Sequence, residues 1–455
     1  MNPDRTTSQR PTAEDLGVVG WVYTAKEHIG TSSYSSGGPT SHRAVRATSA
    51  GDSGTPGEAN FRSVEPSPSR YPADIRHGPM TSGVIAQCLA TLGSGGQRQD
   101  VFMKVGSDET VSANFLACFA QYALPAALEP TRAWFTQTLV DGTATSFDRR
   151  SLAAGVGWTA ARVVEGSPSP LAKETGAIHP GFAVVLLGTV DTVAGGVHAF
   201  ERNLRRMIDA NVAAGTVPVL TTIPPRLDSA AADALVPEMN AVIRALAQAW
   251  QVPYVDLWQL LVPLPTRGLT SDGVHLNVYR TGLQPRPCRL SADGLAFGMN
   301  QRNLLTLEAL DRVRRFVLVG EVPEAEPPTL AGSGTWDDPR LVDRLPFVDY
   351  GDTRTSVSVV GRYGSFPQDE GGPEIVYRIE LSAPTKIRAR VFVDDGVDVD
   401  LHWLDSPDAA RTVARADKTL DVMAPAGRFY LSADTFVAAG QPKPGPYRLT
   451  VVALP

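Results

Sequence analysis

At 455 residues, 43% hydrophobic and 20% charged, the chain is long enough for two domains and a sizeable core, with the make-up of an ordinary soluble globular protein. Its formal net charge of −6 comes without a basic stripe or a Lys/Arg cluster, which argues against nucleic acid or an anionic membrane as partner. No apolar run approaches the ~20 residues that span a bilayer, and residues 1–10 hold no apolar core of a signal peptide.

Residues 1–75 are rich in Ser, Thr, Gly and Pro and lack periodicity, so they read as a flexible tail. An apolar island at 16–23 and two solvated histidines, His28 and His42, fall inside it. From residue 76 to 320 the pattern changes. Residues 101–105 read as a buried strand. Residues 111–123 read as a helix with Phe115, Leu116, Phe119 and Tyr122 on one face. Residues 163–173 hold Gly166-Ser167-Pro168-Ser169-Pro170 and read as a loop. Strands follow at 182–187, 217–223 and 252–258, with helices at 197–213, 236–250 and 292–319. Strand and helix in alternation predict a three-layer α/β domain with a parallel sheet, which places ligands at the carboxyl ends of the strands.

Residues 321–345 read as a Pro/Gly-rich linker. Beyond it the period switches to two, at 375–381, 386–393, 397–404, 428–431 and 447–452, which predicts a small antiparallel sandwich over 346–455. His402 alternates with core positions and reads as structural. Three cysteines are too few for a disulfide scaffold. Cys118 and Cys288 are the candidate pair, because one ends the first predicted helix and the other precedes the last. Free buried thiols, Cys88 included, are the alternative.

Two stretches carry chemistry. Asp272-Gly273-Val274-His275 sets a carboxylate three residues before an imidazole, the spacing that lets the acid orient the base. Its bland alternative is an Asp-Gly turn. Upstream, the apolar run 101–105 breaks at Gly106 into Ser107-Asp108-Glu109-Thr110, as a strand does when it delivers a nucleophile to a loop. Together these stretches resemble the SGNH/GDSL hydrolase family, whose blocks read Gly-Asp-Ser, Gly-x-Asn-Asp and Asp-x-x-His. The resemblance covers about residues 76–320 and implies an SGNH/flavodoxin-like fold acting on acyl or acetyl esters of small molecules, glycans or lipids, without a cofactor or metal. It implies Asp272 as orienting acid, His275 as base and Gly157 as an oxyanion donor, with Gly155 as the alternative. The third block, Gly188-Thr189-Val190-Asp191, supplies Gly188 and Asp191 to the substrate side, with Val190 where the family has Asn. The first block is inverted: Gly106-Ser107-Asp108 puts Asp108 at the nucleophile's place unless the loop slips and offers Ser107.

The C-terminal strands, with Asp398-Val399-Asp400-Leu401, resemble the pre-peptidase C-terminal domain, a jelly-roll appended to exported bacterial hydrolases. That likeness implies an extracellular or cell-envelope location. Three readings follow: an esterase of reduced activity using Ser107 and His275; a pseudoenzyme that binds a glycan or lipid ester; or a cation site built from Asp108, Glu109, Asp191, Asp272 and His275. Arg226, His198 and Trp158 carry less weight, as a surface Arg or pocket wall, an exposed His and a core Trp.

Overall fold

The computed structural model describes residues 69–120 and 124–454. The tail to residue 68, with the 16–23 island, His28 and His42, lies outside the described residues, as does Tyr122.

Four parallel strands, β1 (Arg98–Gly106), β2 (Pro180–Leu186), β3 (Val217–Thr221) and β4 (Tyr254–Val255), are neighbours in that order. Every residue of β2 and β3 is buried, which is why they read as continuous apolar runs rather than alternating ones. One apolar core joins this sheet to the helices Ser82–Gly95, Gly196–Ala213, Ala230–Trp250 and Gly298–Val313. On the outer edge of β1, Gly106 donates to the Ala153 carbonyl (3.3 Å) and accepts from the Gly155 N–H (3.2 Å). The segment before Gly157 thereby rides on the carboxyl end of β1.

Four predicted elements differ. No helix spans 111–123. The short helix Asp108–Val111 stops at Ser112, and a 3-10 turn covers Ala117–Ala120. Between them Leu116 takes a positive φ of 61° and donates its N–H to Asn303 Oδ1 at 3.0 Å, a tertiary bond that replaces a helical one. The fourth strand is shorter than 252–258 because Asp256 accepts from the Gln259 N–H and caps a helix, Leu257–Leu261. The 163–173 loop is mostly helix: Ala160–Val164 precedes it, and Ser169 caps Pro170–Ile178 with Pro at its first position. The last helix is α only over Gly298–Val313 and continues as a π-type turn, Arg314–Val319, to Gly320. The segment that follows is tied back: Arg312 makes two 2.7 Å bonds to Glu324, which also accepts from the Met80 N–H.

The period-two region folds as a sandwich. One sheet runs Thr419–Ala424, Thr385–Val393, Pro446–Leu454, Phe347–Asp352. The other runs Thr412–Ala416, Val399–Leu404, Gly427–Thr435, Glu374–Leu381, Arg340–Val342. All pairings are antiparallel except the last. Trp403, stacked on Phe429, packs with Tyr377, Leu401 and Tyr447 between the sheets. His402 points to the opposite side, is fully buried, and stacks on Tyr363 at 3.7 Å. Burial lowers its pKa to about 3, so it is a neutral, structural group.

The helix Ala230–Trp250 is buried nearly all round because it has two partners. One side meets the parallel sheet. On the other, Ala241 and Ala245 pack on Val348 and Val452 of the sandwich. Beside them the buried Glu238 bonds Arg388 (2.7 Å) and Arg390 (2.8 Å). His198 is half-buried here against Phe392 and Thr419 rather than exposed.

The Cys118–Cys288 disulfide is formed, and Cys88 is free and buried.

Candidate functional site

The site lies where β1 ends. A Cβ on Gly106 would sit 2.1 Å from Thr110 Oγ1 and 2.6 Å from the Leu186 carbonyl, so only glycine lets the strand turn this tightly into the helix Asp108–Val111. The turn buries Ser107 and leaves Asp108 partly exposed. The Ser107 hydroxyl donates to Asp108 Oδ2 at 2.7 Å. The Gly157 N–H donates to the same oxygen at 2.8 Å, and the Asp108 backbone N–H supports the carboxylate as well. Burial pushes the Asp108 pKa up, but these three donors and the His275 charge outweigh it and hold the group below its ordinary value. Oδ1, the other oxygen, faces His275 Nε2 at 3.9 Å.

His275 stands on a tight loop. The Thr270 N–H bonds the His275 carbonyl at 2.7 Å, and Gly273 has a φ of 72° with no space for a Cβ beside Leu227 and Asp228. Asp272 Oδ1 accepts from the Thr270 hydroxyl (2.6 Å), the Val274 N–H (2.9 Å) and the His275 N–H (3.0 Å), while Oδ2 meets His275 Nδ1 at 2.7 Å. Against the upward pull of burial, those donors hold the Asp272 carboxyl far below the usual range. The His275 pKa is raised, first by the Asp272 bond and, against some desolvation, by the charges of Glu109, Asp272 and Asp108. The neighbouring carboxylates thus stabilise the imidazolium form. The raised value means that the ion pair's contribution to stability is complete below the unfolded-state pKa and is lost as pH rises through the folded value. An NMR titration of His275 is expected to have its midpoint above the ordinary ~6.5, to fall most in Asp272→Asn, and to fall less in Asp108→Asn. A midpoint at or below the ordinary value would overturn this account.

The structure therefore brings Ser107, Asp108, Gly157, Asp272 and His275 together. It leaves the other predicted positions behind the rim. Asp191 is buried, with both oxygens on the Ala160 N–H (3.2 and 3.1 Å), and burial pushes its pKa up to about 6. It anchors the helix Ala160–Val164 instead of facing a substrate. Gly188 is buried with a φ of 121°, and a Cβ there would press on Phe200 and Ile223 at 3.0 Å. Gly155 pairs with β1, and Trp158 folds over it. Arg226 neither lines a pocket nor lies on the surface: it is buried, forks onto Asp228 through two 2.7 Å bonds, and donates to the Thr189 carbonyl. The proposed five-residue cation cluster does not converge. Among the described residues, the group with ligand atoms close enough for a metal is Asp398, Asp400 and Asp417, and Lys418 Nζ already sits 2.7, 3.9 and 2.5 Å from them.

Two supporting residues were missed by the sequence reading. Glu109 is buried and accepts from the Leu276 N–H at 2.6 Å, tying the first block to the last. Arg302, wholly buried over the Phe115 ring (3.6 Å), donates to the Glu109 carbonyl and to Thr110 Oγ1. Arg302 sits among leucines at helical spacing and gave no signal. Glu109 was read only as part of the cation cluster.

Residues 118–279 match the family model described as GDSL-like Lipase/Acylhydrolase family. This stretch is similar to a GDSL-like lipase/acylhydrolase domain. The match includes Gly157, Asp272 and His275 and begins after the inverted Gly106-Ser107-Asp108 turn. The family so described consists of ester hydrolases. Among solved structures, the domain is similar to a GDSL-like lipase from Bacteroides thetaiotaomicron, at 15% identity over 50% of this chain and 98% of that one, TM-score 0.33. It is also similar to an acetylxylan esterase from Geobacillus stearothermophilus, at 11% identity, 48% and 95% coverage, TM-score 0.32. The pre-peptidase C-terminal domain of a Bacillus anthracis collagenase matches at 16% identity, 24% and 89% coverage, TM-score 0.17. No curated protein sequence matches the chain significantly.

Proposed function

We propose that this GDSL-like domain binds an acyl ester and that its serine-ester pathway is closed. The observation that carries the reading is the position of Asp108. Its Oδ2 takes the Gly157 N–H, and its carboxylate takes its own backbone N–H, the donors that an acyl-transfer oxyanion would need. An oxyanion brought to those donors would meet a carboxylate of the same charge. Ser107 does not compensate, because its hydroxyl is spent on Asp108 and the side chain is buried. Val190 offers no donor in place of the family's Asn. The acyl preference is supported by two exposed aliphatic residues beside the site: Val156 next to Gly157 (74% exposed) and Leu227 against Gly273 (46%).

The purified chain is expected to hydrolyse short p-nitrophenyl esters no faster than its His275→Ala variant, while an acyl-ester analogue binds both with similar affinity. Turnover that is abolished by Ser107→Ala and by His275→Ala would overturn the reading in favour of a working serine esterase.

A further inference from the structure

The two oxygens of Asp108 are held differently, and that asymmetry has a chemical use. Oδ2 is fixed by the Ser107 hydroxyl and the Gly157 N–H. Oδ1 is turned toward His275 Nε2 at 3.9 Å. That gap is too long for a direct hydrogen bond, but a water about 2.8 Å from each atom fits it. We propose that Asp108 is a carboxylate nucleophile toward a saturated carbon bearing an anionic leaving group, with His275 delivering the water that hydrolyses the resulting Asp108 ester. This rests on the reading that Asp108, not Ser107, holds the nucleophile's place.

The steps balance. An Oδ1 lone pair forms the bond to carbon as the carbon–leaving-group bond breaks, and the leaving group departs with its electron pair. Asp108 becomes a neutral ester and no longer stabilises the His275 imidazolium, which gives its proton to solvent. The neutral imidazole takes a proton from the bridging water as that water's oxygen adds to Cγ. The negative charge moves onto Oδ2, where the Gly157 N–H and the Ser107 hydroxyl already point, and they act as the oxyanion hole of this second step. Collapse breaks the Cγ–Oδ1 bond. His275 returns its proton to the departing alkoxide, the water's oxygen stays in Asp108, and the water's second proton, left on the new carboxyl group, passes to His275 and restores the carboxylate–imidazolium pair. The sum is R–X plus water giving R–OH plus HX. A saturated carbon has no carbonyl oxygen to stabilise, so the missing donor at Val190 costs nothing here. The aliphatic residues Val156 and Leu227, beside Gly157 and Gly273, suit an alkyl chain.

The test incubates the full chain with bromohexane in heavy-oxygen water. In the wild type, bromide release should be accompanied by one heavy oxygen in the peptide containing Asp108. In His275→Asn, a hexyl group should remain on Asp108, because losing a general base slows the second step by about 10²–10⁴-fold and leaves the first in place. Asp108→Asn should release no bromide. A wild type with neither label nor hexyl group on Asp108, or with alkylation only at Cys88 or His275, overturns the inference alone. Ser107-dependent cleavage of p-nitrophenyl esters by the same preparation overturns the closed-serine reading and this inference with it.

Discussion

The double substitution Ser107→Asp/Asp108→Ser is expected to raise serine-dependent esterase activity above that of the wild type. It restores the Gly-Asp-Ser order on a turn whose backbone is already shaped for it. A serine at 108 would replace the carboxylate that faces His275 Nε2 across 3.9 Å. The Gly157 N–H and the N–H of residue 108 would be released to an oxyanion. His275 would keep the Asp272 bond that orients it as a base toward the new hydroxyl. Adding Val190→Asn supplies a third donor, and an oxyanion donor is worth about 10²–10³-fold in rate. The measurement is p-nitrophenyl butyrate hydrolysis by wild type, the double variant, the triple variant and the triple variant with His275→Ala. The triple variant should exceed the last by about 10²–10⁴-fold, the usual contribution of a positioned base. A folded triple variant with no activity above it would show that Asp108 is not what closes the ester pathway.

Removing the Cys118–Cys288 bond should give the largest loss of stability. The link closes a loop of 170 residues, which contains Gly157, the third block and the Asp272–His275 loop. Loss of a native disulfide typically costs about 2–5 kcal/mol, toward the upper end when the closed loop is long. The cost should be felt at the site, because Cys118 is two residues beyond Leu116, which hangs on Asn303 of the last helix. Chemical denaturation of Cys118→Ser/Cys288→Ser, compared with wild type with and without reductant, measures it. The wild-type midpoint should fall on reduction to that of the variant, and the variant's own midpoint should not move with reductant. Equal midpoints for oxidised wild type and variant would overturn the prediction.

The parts of the site legible in the sequence were those built from neighbours in the chain. Asp191 shows the limit of that. It follows a buried strand in the place where a substrate group is expected, yet it turns inward because the Ala160 N–H, thirty-one residues earlier, needs an acceptor. Arg226 shows it too: a Pro turn suggested surface or pocket, while Asp228 and the Thr189 carbonyl claim its guanidinium. The helix expected at 111–123 failed for a similar reason, since its apolar spacing was genuine burial reached by a different backbone path.

The sequence by itself determined the alternating strands and helices of the α/β domain, the change to a two-residue period beyond it, and the pairing of Asp272 with His275. Each of these follows from hydrophobic periodicity or from contacts within a few residues. Only the tertiary structure decided which of Ser107 and Asp108 faces the histidine. That choice depends on the register of β1 against β2, on Gly157 arriving from 49 positions away, and on Glu109 holding Leu276 across 167. Those contacts form only once the sheet is assembled, and they fix how the turn after Gly106 presents its two side chains, Ser107 buried and Asp108 partly exposed.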